Sequence, residues 1–207
     1  MDKVVIFDMD GTLLNSSKDI TISINHVRET LNLPPLEIDY VVKAINSDQK
    51  NLAYLFYEQE SYLLQTKALF QEHYFEQCTK NVYLYNGIEG GLKQLYKDRF
   101  KLAVATNAST KFAVKMLEHL GVYNLFESIV GANRVENPKP NPEMLYKILD
   151  KYNYNKAWIV GDHEKDLYAG KNAGIESLHV HWGFGNKHQL FKSFDQPKNL
   201  FSFIQNQ

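Results

Sequence analysis

The alternation of apolar and polar positions divides the chain into strand-like and helix-like stretches. Val4-Val5-Ile6-Phe7 is a continuous apolar run, as expected of a central parallel strand covered on both faces. Ile20, Ile24, Val27 and Leu31 then recur at helical spacing, preceded by Asn15-Ser16-Ser17 as helix caps and followed by Pro34-Pro35 as a stop. A second helix is predicted over Tyr40–Ile45, and further helix over Gln49–Thr79 with Leu52, Leu55, Phe56, Leu63, Leu64, Leu69, Phe70 and Tyr74 as its apolar positions. Asn86-Gly87 marks a turn, and Ile88, Leu92, Leu95 and Tyr96 resume the helical period.

From Phe100 the pattern alternates between strand and helix. Phe100–Ala105, Ser128–Ala132, Ala157–Val160 and Ser177–His181 read as strands. Between them lie helices through Ala113–Leu120, closed by Gly121, through Leu145–Leu149, with Asn141 as cap and Pro142 first, and through Lys165–Asn172, stopped near Gly174. A terminal helix is expected near Leu200–Ile204. This alternation predicts an α/β fold, a Rossmann-like doubly wound parallel sheet with right-handed crossovers. Residues 16–80 contain no strand pattern and read as a small helical insertion after the first strand. Residues 1–15 and 81–207 then form the main domain.

Composition narrows the function classes. The 207 residues carry a net charge of −1, which gives no reason to expect a nucleic-acid partner. One cysteine, Cys78, excludes an internal disulfide and a cysteine-built zinc site. The amino terminus enters a strand at once, without the basic start and apolar stretch of a secretory signal, and no apolar run is long enough to span a bilayer. The expectation is a cytoplasmic protein, monomer or homodimer, with no membrane association.

The chemistry sits where strands end. The first strand runs into Asp8-Met9-Asp10-Gly11-Thr12-Leu13. In open α/β sheets the carboxyl edge is where ligands bind. Two acids placed there repel unless a cation or a shared proton relieves them; alone, Asp-x-Asp is equally a solvated turn. Later strands end in Thr106-Asn107 and in Gly161-Asp162, with Asp166 one helical turn on. Lys139 lies in the stiff loop Asn137-Pro138-Lys139-Pro140-Asn141-Pro142. Carboxylates, a hydroxyl and an ammonium converging on one crevice suit phosphoryl transfer, which depends on positioning and charge stabilisation. Magnesium, with its preference for oxygen ligands and phosphate, fits the acids.

The string Asp-x-Asp-Gly-Thr-Leu, followed in order by Thr106, Lys139 and Gly-Asp-x-x-x-Asp, resembles the haloacid dehalogenase-like hydrolases over nearly the whole chain. The helical insertion looks like the cap of their phosphoglycolate phosphatase and β-phosphoglucomutase branch. The resemblance implies a Mg²⁺-dependent phosphatase acting on a small phosphorylated metabolite, phosphoglycolate first among candidates. It implies Asp8 as nucleophile forming an aspartyl-phosphate, and Asp10 as general acid and base that also lends its backbone carbonyl to the metal. Thr106, the Asn107 backbone and Lys139 would hold the phosphoryl group; Asp8, Asp162 and Asp166 would complete the metal set.

A phosphomutase is the alternative within the branch, and a receiver-like phosphoacceptor the non-enzymatic one. Two departures stand out. His163 occupies the place where the branch often has Ser or Thr, and Ala44-Ile45-Asn46-Ser47 lacks the glycine of many relatives' substrate loop. Lys43 is the nearest cation there for a substrate carboxylate. The aromatic residues Tyr54, Phe56, Tyr57 and Tyr62 either line a pocket or pack the insertion's own core.

Overall fold

The computed structural model describes residues 1–47, 51–186 and 190–207. Gln49, the expected start of the third helical stretch, lies outside the described residues. Contacts divide the chain into two compact units, Met1–Asn15 with Tyr83–Gln207, and Ser16–Val82.

The first unit is built on β1 (Asp2–Phe7), whose Val4, Val5, Ile6 and Phe7 are fully buried. After the two-residue β2 (Leu14–Asn15), the unit resumes at β3 (Tyr83–Leu84), which pairs antiparallel with β2. There follow α5 (Ile88–Lys97), β4 (Lys101–Thr106), α6 (Thr110–His119), β5 (Ser128–Gly131) and α7 (Glu143–Leu149). The unit ends with β6 (Tyr154–Gly161), α8 (Glu164–Ala173), β7 (Glu176–Val180), β8 (Lys192–Phe194) and α9 (Pro197–Gln205). Helices α1 to α4 belong to the other unit.

The main sheet has the order β5-β4-β1-β6-β7-β8, all pairs parallel. β1 therefore lies between strands reached by crossovers in opposite directions, the point at which such sheets open a crevice. Its register sets Phe7 beside Val104 and Val160, so Asp8 follows level with Ala105 and Gly161, and Thr106 and Asp162 come one residue later at the same edge.

Strand periodicity explains the continuous apolar run. Val4 and Ile6, with Ala103, Ala105, Ala157 and Ile159, pack on Met144, Leu145 and Ile148 of α7. The alternate residues face the opposite way, where Phe7 meets Phe126 and Phe201 at ring-centroid distances of 6.5 and 6.3 Å. β8 and the β2–β3 ribbon were not expected from the sequence. Lys192-Ser193-Phe194 and the two-residue pairs are too short to show a period, and their pairing partners are remote. Helix α7 begins one residue later than expected: Pro142 is its cap residue, while Asn141 Oδ1 accepts the Glu143 N–H at 3.0 Å.

The second unit holds α1 (Ser17–Thr30), α2 (Ile38–Ile45), α3 (Leu52–Tyr57) and α4 (Leu64–Gln77). The stretch expected to be helical to Thr79 is broken at Glu58, whose φ of 56° ends α3 in a left-handed cap. Ile24, Val27, Val41, Ala44, Phe56 and Tyr57 form its core. Phe56 and Tyr57 thus pack inward, while Tyr54 and Tyr62 are exposed. Two charged residues are also inside. Arg28 donates to the carbonyls of Pro34 and Phe56. Asp19, fully buried, accepts the Asn81 N–H at 2.9 Å, Asn81 Nδ2 at 2.6 Å and Gln77 Nε2 at 2.8 Å. His73 bonds Ser23 and stacks on His26. Lys43 is exposed on α2. Among the described residues no helix is long and apolar enough to cross a membrane.

Candidate active site

Asp8 leaves β1 with its N–H on the Val160 carbonyl at 2.8 Å. Its neighbour turns away through Gly11, whose φ is +85° and where a Cβ would lie 2.3 Å from Asp162 Oδ2. Only a residue without a side chain fits a positive φ against a carboxylate. The turn also puts the Thr12 hydroxyl 3.2 Å from Asp162 Oδ1.

Lys139 enters from the proline-framed loop and is 4% exposed, so its ammonium must be satisfied inside the protein. Nζ donates to Asp8 Oδ1 at 2.6 Å, to Asp166 Oδ1 at 2.5 Å and to the Ala105 carbonyl at 2.6 Å. Asn107 fixes the backbone from which this side chain springs. Its Nδ2 donates to the Lys139 carbonyl at 3.0 Å and its Oδ1 accepts the Lys139 N–H at 3.1 Å. Thr106, buried at the end of β4, accepts the Ala108 N–H on its Oγ1 at 3.1 Å and keeps its hydroxyl proton to donate.

Asp166 is held by local helix chemistry. His163 caps α8, its Nδ1 accepting the Lys165 N–H at 3.2 Å, while Asp166 Oδ2 accepts the His163 N–H at 3.2 Å. This is a capping box, normally built with Ser or Thr. His163, where the branch often has Ser or Thr, thus supplies the cap through its ring nitrogen.

The carboxylates of Asp8, Asp162 and Asp166 converge, with one oxygen of each within 4.8 Å of the others, and all three residues are buried. Asp10 is half-buried and is not one of that group. Burial pushes the Asp8 carboxyl well above the usual range; Lys139 pulls it down, and Asp166 and Asp162 push it up again. Burial and then Asp166 raise Asp162 from 3.8 to about 6, against the pull of the Phe184 and Gly185 N–H groups and of Thr12. For Lys139 burial alone would lower the value, but Asp166 and Asp8 outweigh it and hold the ammonium charged. Burial raises the Tyr85 phenol, with Asp162, Tyr83 and Asp10 adding to the shift.

Full ionisation of the three carboxylates against one ammonium would leave two surplus negative charges in a buried site. Uncompensated charge at that depth costs several kcal/mol. A hard divalent cation with oxygen ligands would cancel it, so the donor set fits a bound metal.

Sequence reasoning overlooked four contributors. Thr12 stood within the first motif but had no role assigned. Tyr85 gave no signal. Phe184 and Gly185 send two backbone N–H groups into Asp162, and their only trace in the sequence is the Gly-x-Gly after β7.

The comparisons agree with this geometry. The family model of haloacid dehalogenase-like hydrolases matches residues 5–180. A phosphoglycolate phosphatase of Aquifex aeolicus is 30% identical, the alignment covering 99% of this chain and 97% of that one. A crystal structure from Haemophilus somnus, described as a predicted phosphoglycolate phosphatase, superposes with a TM-score of 0.84 at 25% identity, covering 98% and 97% of the two chains. A haloacid dehalogenase-like hydrolase from Streptococcus pneumoniae shares the fold, with a TM-score of 0.82 at 20% identity and 99% of both chains covered. Motif order, strand-end placement and a family match over most of the length agree, and the chain belongs to the haloacid dehalogenase-like hydrolases.

Proposed function

We propose that this protein is a magnesium-dependent phosphatase that hydrolyses a small phosphomonoester, phosphoglycolate being the leading substrate, through an aspartyl-phosphate on Asp8. The observation that carries the reading is the buried meeting of Asp8, Asp162, Asp166 and Lys139 at one sheet edge. The name of the Aquifex relative supports the substrate class.

In this reading the Asp8 carboxylate attacks phosphorus and the ester oxygen leaves, taking a proton from Asp10. Asp10 then accepts a proton from water as that water attacks the acyl phosphate. This frees inorganic phosphate and restores Asp8. Lys139, the Thr106 hydroxyl and the Asn107 backbone N–H hold the phosphoryl oxygens, and their positive ends face the charge that grows there. Asp8, Asp162, Asp166 and the Asp10 carbonyl would hold Mg²⁺, which when bound supplies charge neutralisation. Cys78 is a buried thiol outside any disulfide, its Sγ 3.6 Å from the Phe75 carbonyl, which suits a cytoplasmic enzyme with small metabolites as its partners.

The test is phosphate release from a panel of phosphorylated metabolites with and without Mg²⁺. Release that is fastest from phosphoglycolate and abolished by Asp8→Asn is expected. Undiminished release by that variant overturns Asp8 as nucleophile. Isomerisation of β-glucose 1-phosphate without phosphate release replaces hydrolysis by the mutase reaction.

A further inference from the structure

After β7 the chain turns through Trp182-Gly183-Phe184-Gly185 and lies directly on Asp162. The Phe184 N–H donates to Asp162 Oδ2 at 2.7 Å and the Gly185 N–H to the same oxygen at 3.1 Å. The indole N–H of Trp182 donates to the Thr12 carbonyl at 3.0 Å, and the Thr12 hydroxyl donates to Asp162 Oδ1 at 3.2 Å. The loop thus grips the carboxylate twice, once directly and once through Thr12.

Two glycines make the approach possible. A Cβ on Gly183 would stand 2.1 Å from the Gly11 carbonyl oxygen and 2.4 Å from Asp162 Oδ2; one on Gly185 would stand 1.8 Å from the Asp162 carbonyl oxygen. None of these distances is tolerated by a real side chain, so the loop can lie this close only with glycine at both places.

The consequence is chemical. Two N–H groups on Oδ2 use both of that oxygen's lone pairs. Among the described residues Oδ1 carries only the longer Thr12 contact, and it keeps capacity for a further partner. A carboxylate held in one rotamer needs no ordering when a cation binds, and partners that fix a ligand in this way set metal affinity.

We propose that Trp182–Gly185 is a positioning strap that fixes the Asp162 carboxylate with Oδ1 as its metal-binding oxygen, and so sets the Mg²⁺ affinity of the site without touching the substrate. It rests on the reading of Asp162 as a metal ligand.

The experiment titrates Mg²⁺ into the full-length metal-free protein by calorimetry, alongside circular dichroism and thermal melts in EDTA. Wild type is compared with Gly183→Ala, Gly185→Ala, Trp182→Phe and Asp162→Asn. The glycine variants are expected to keep the native circular dichroism spectrum and to bind Mg²⁺ about 10- to 100-fold more weakly, the range for loss of a partner to a metal ligand. Trp182→Phe keeps a ring and loses only the indole N–H, and its expected loss is about threefold. In all three the Mg²⁺ constant moves more than the KM for the phosphoester at saturating Mg²⁺.

Folded glycine variants with wild-type Mg²⁺ affinity overturn the strap while leaving the ligand reading intact, provided that Asp162→Asn abolishes binding. Wild-type affinity in Asp162→Asn overturns the ligand reading and the strap with it. If both glycine variants fail to fold, Trp182→Phe decides: an unchanged Mg²⁺ constant overturns the proposal.

Discussion

Asp8 in the sheet unit and Asp19 in the helical unit are both buried carboxylates, yet the two environments are opposites. Asp19 is met by three amide N–H donors, two on Oδ1 and one on Oδ2, at the amino-terminal turn of α1. Neutral donors thus satisfy both of its oxygens at the positive end of a helix. Asp8 instead shares one ammonium with Asp166 and has Asp162 close by. Its surroundings do not favour its charge, and its carboxyl is held well above the usual range by burial and by its acidic neighbours. One carboxylate is part of the scaffold. The other is kept in a state that a cation would relieve, as expected where stability is given up for function.

The same isosteric change at the two positions should act in opposite directions. On the proposed role of Asp8 as nucleophile, Asp8→Asn is expected to lower phosphatase activity by a factor on the order of 10⁴. The same variant should raise the melting temperature of the metal-free protein. A lower melting temperature in EDTA would break the contrast. Asp19→Asn turns one oxygen into an NH₂ group facing a donor and is expected to cost about 1.5 to 3 kcal/mol, the value of one hydrogen bond to a charged group. Urea unfolding measures it, and a variant as stable as wild type would remove Asp19 from the scaffold.

The pH dependence sharpens the contrast further. Asp162 has a folded value of about 6 against 3.8 for the ordinary group. A raised acid contributes stability that is fully present below about pH 4 and is lost as pH climbs through about 6. In EDTA the wild type should therefore lose up to ~3 kcal/mol relative to Asp162→Asn between those limits, at 1.36 kcal/mol per unit. Thermal melts from pH 4 to 7 report the difference, and saturating Mg²⁺ should flatten it. The smallest effect belongs to the exposed Glu89–Lys93 pair, 2.6 Å apart on α5. Lys93→Gln should change stability by less than about 0.5 kcal/mol, because water screens both charges.

The sequence by itself determined the sheet unit's architecture and most of the candidate site. Val4–Phe7 is apolar at every position because both faces of β1 are covered, and Asp8, Thr106 and Asp162 end strands whose apolar patterns are local and readable. Local patterning said nothing about which charged residues would be interior. Nothing in the helical period of α1 sets Asp19 and Arg28 apart from its exposed charges, yet both are buried. Their partners, Gln77, Asn81, Pro34 and Phe56, come from elsewhere in the helical unit. The grip of Phe184 and Gly185 on Asp162 was equally invisible, since a backbone N–H is carried by almost any residue. Periodicity is written along the chain, whereas the partner that makes a buried charge tolerable is chosen only when remote segments pack, because its free energy depends on donors and dielectric that the folded state alone supplies.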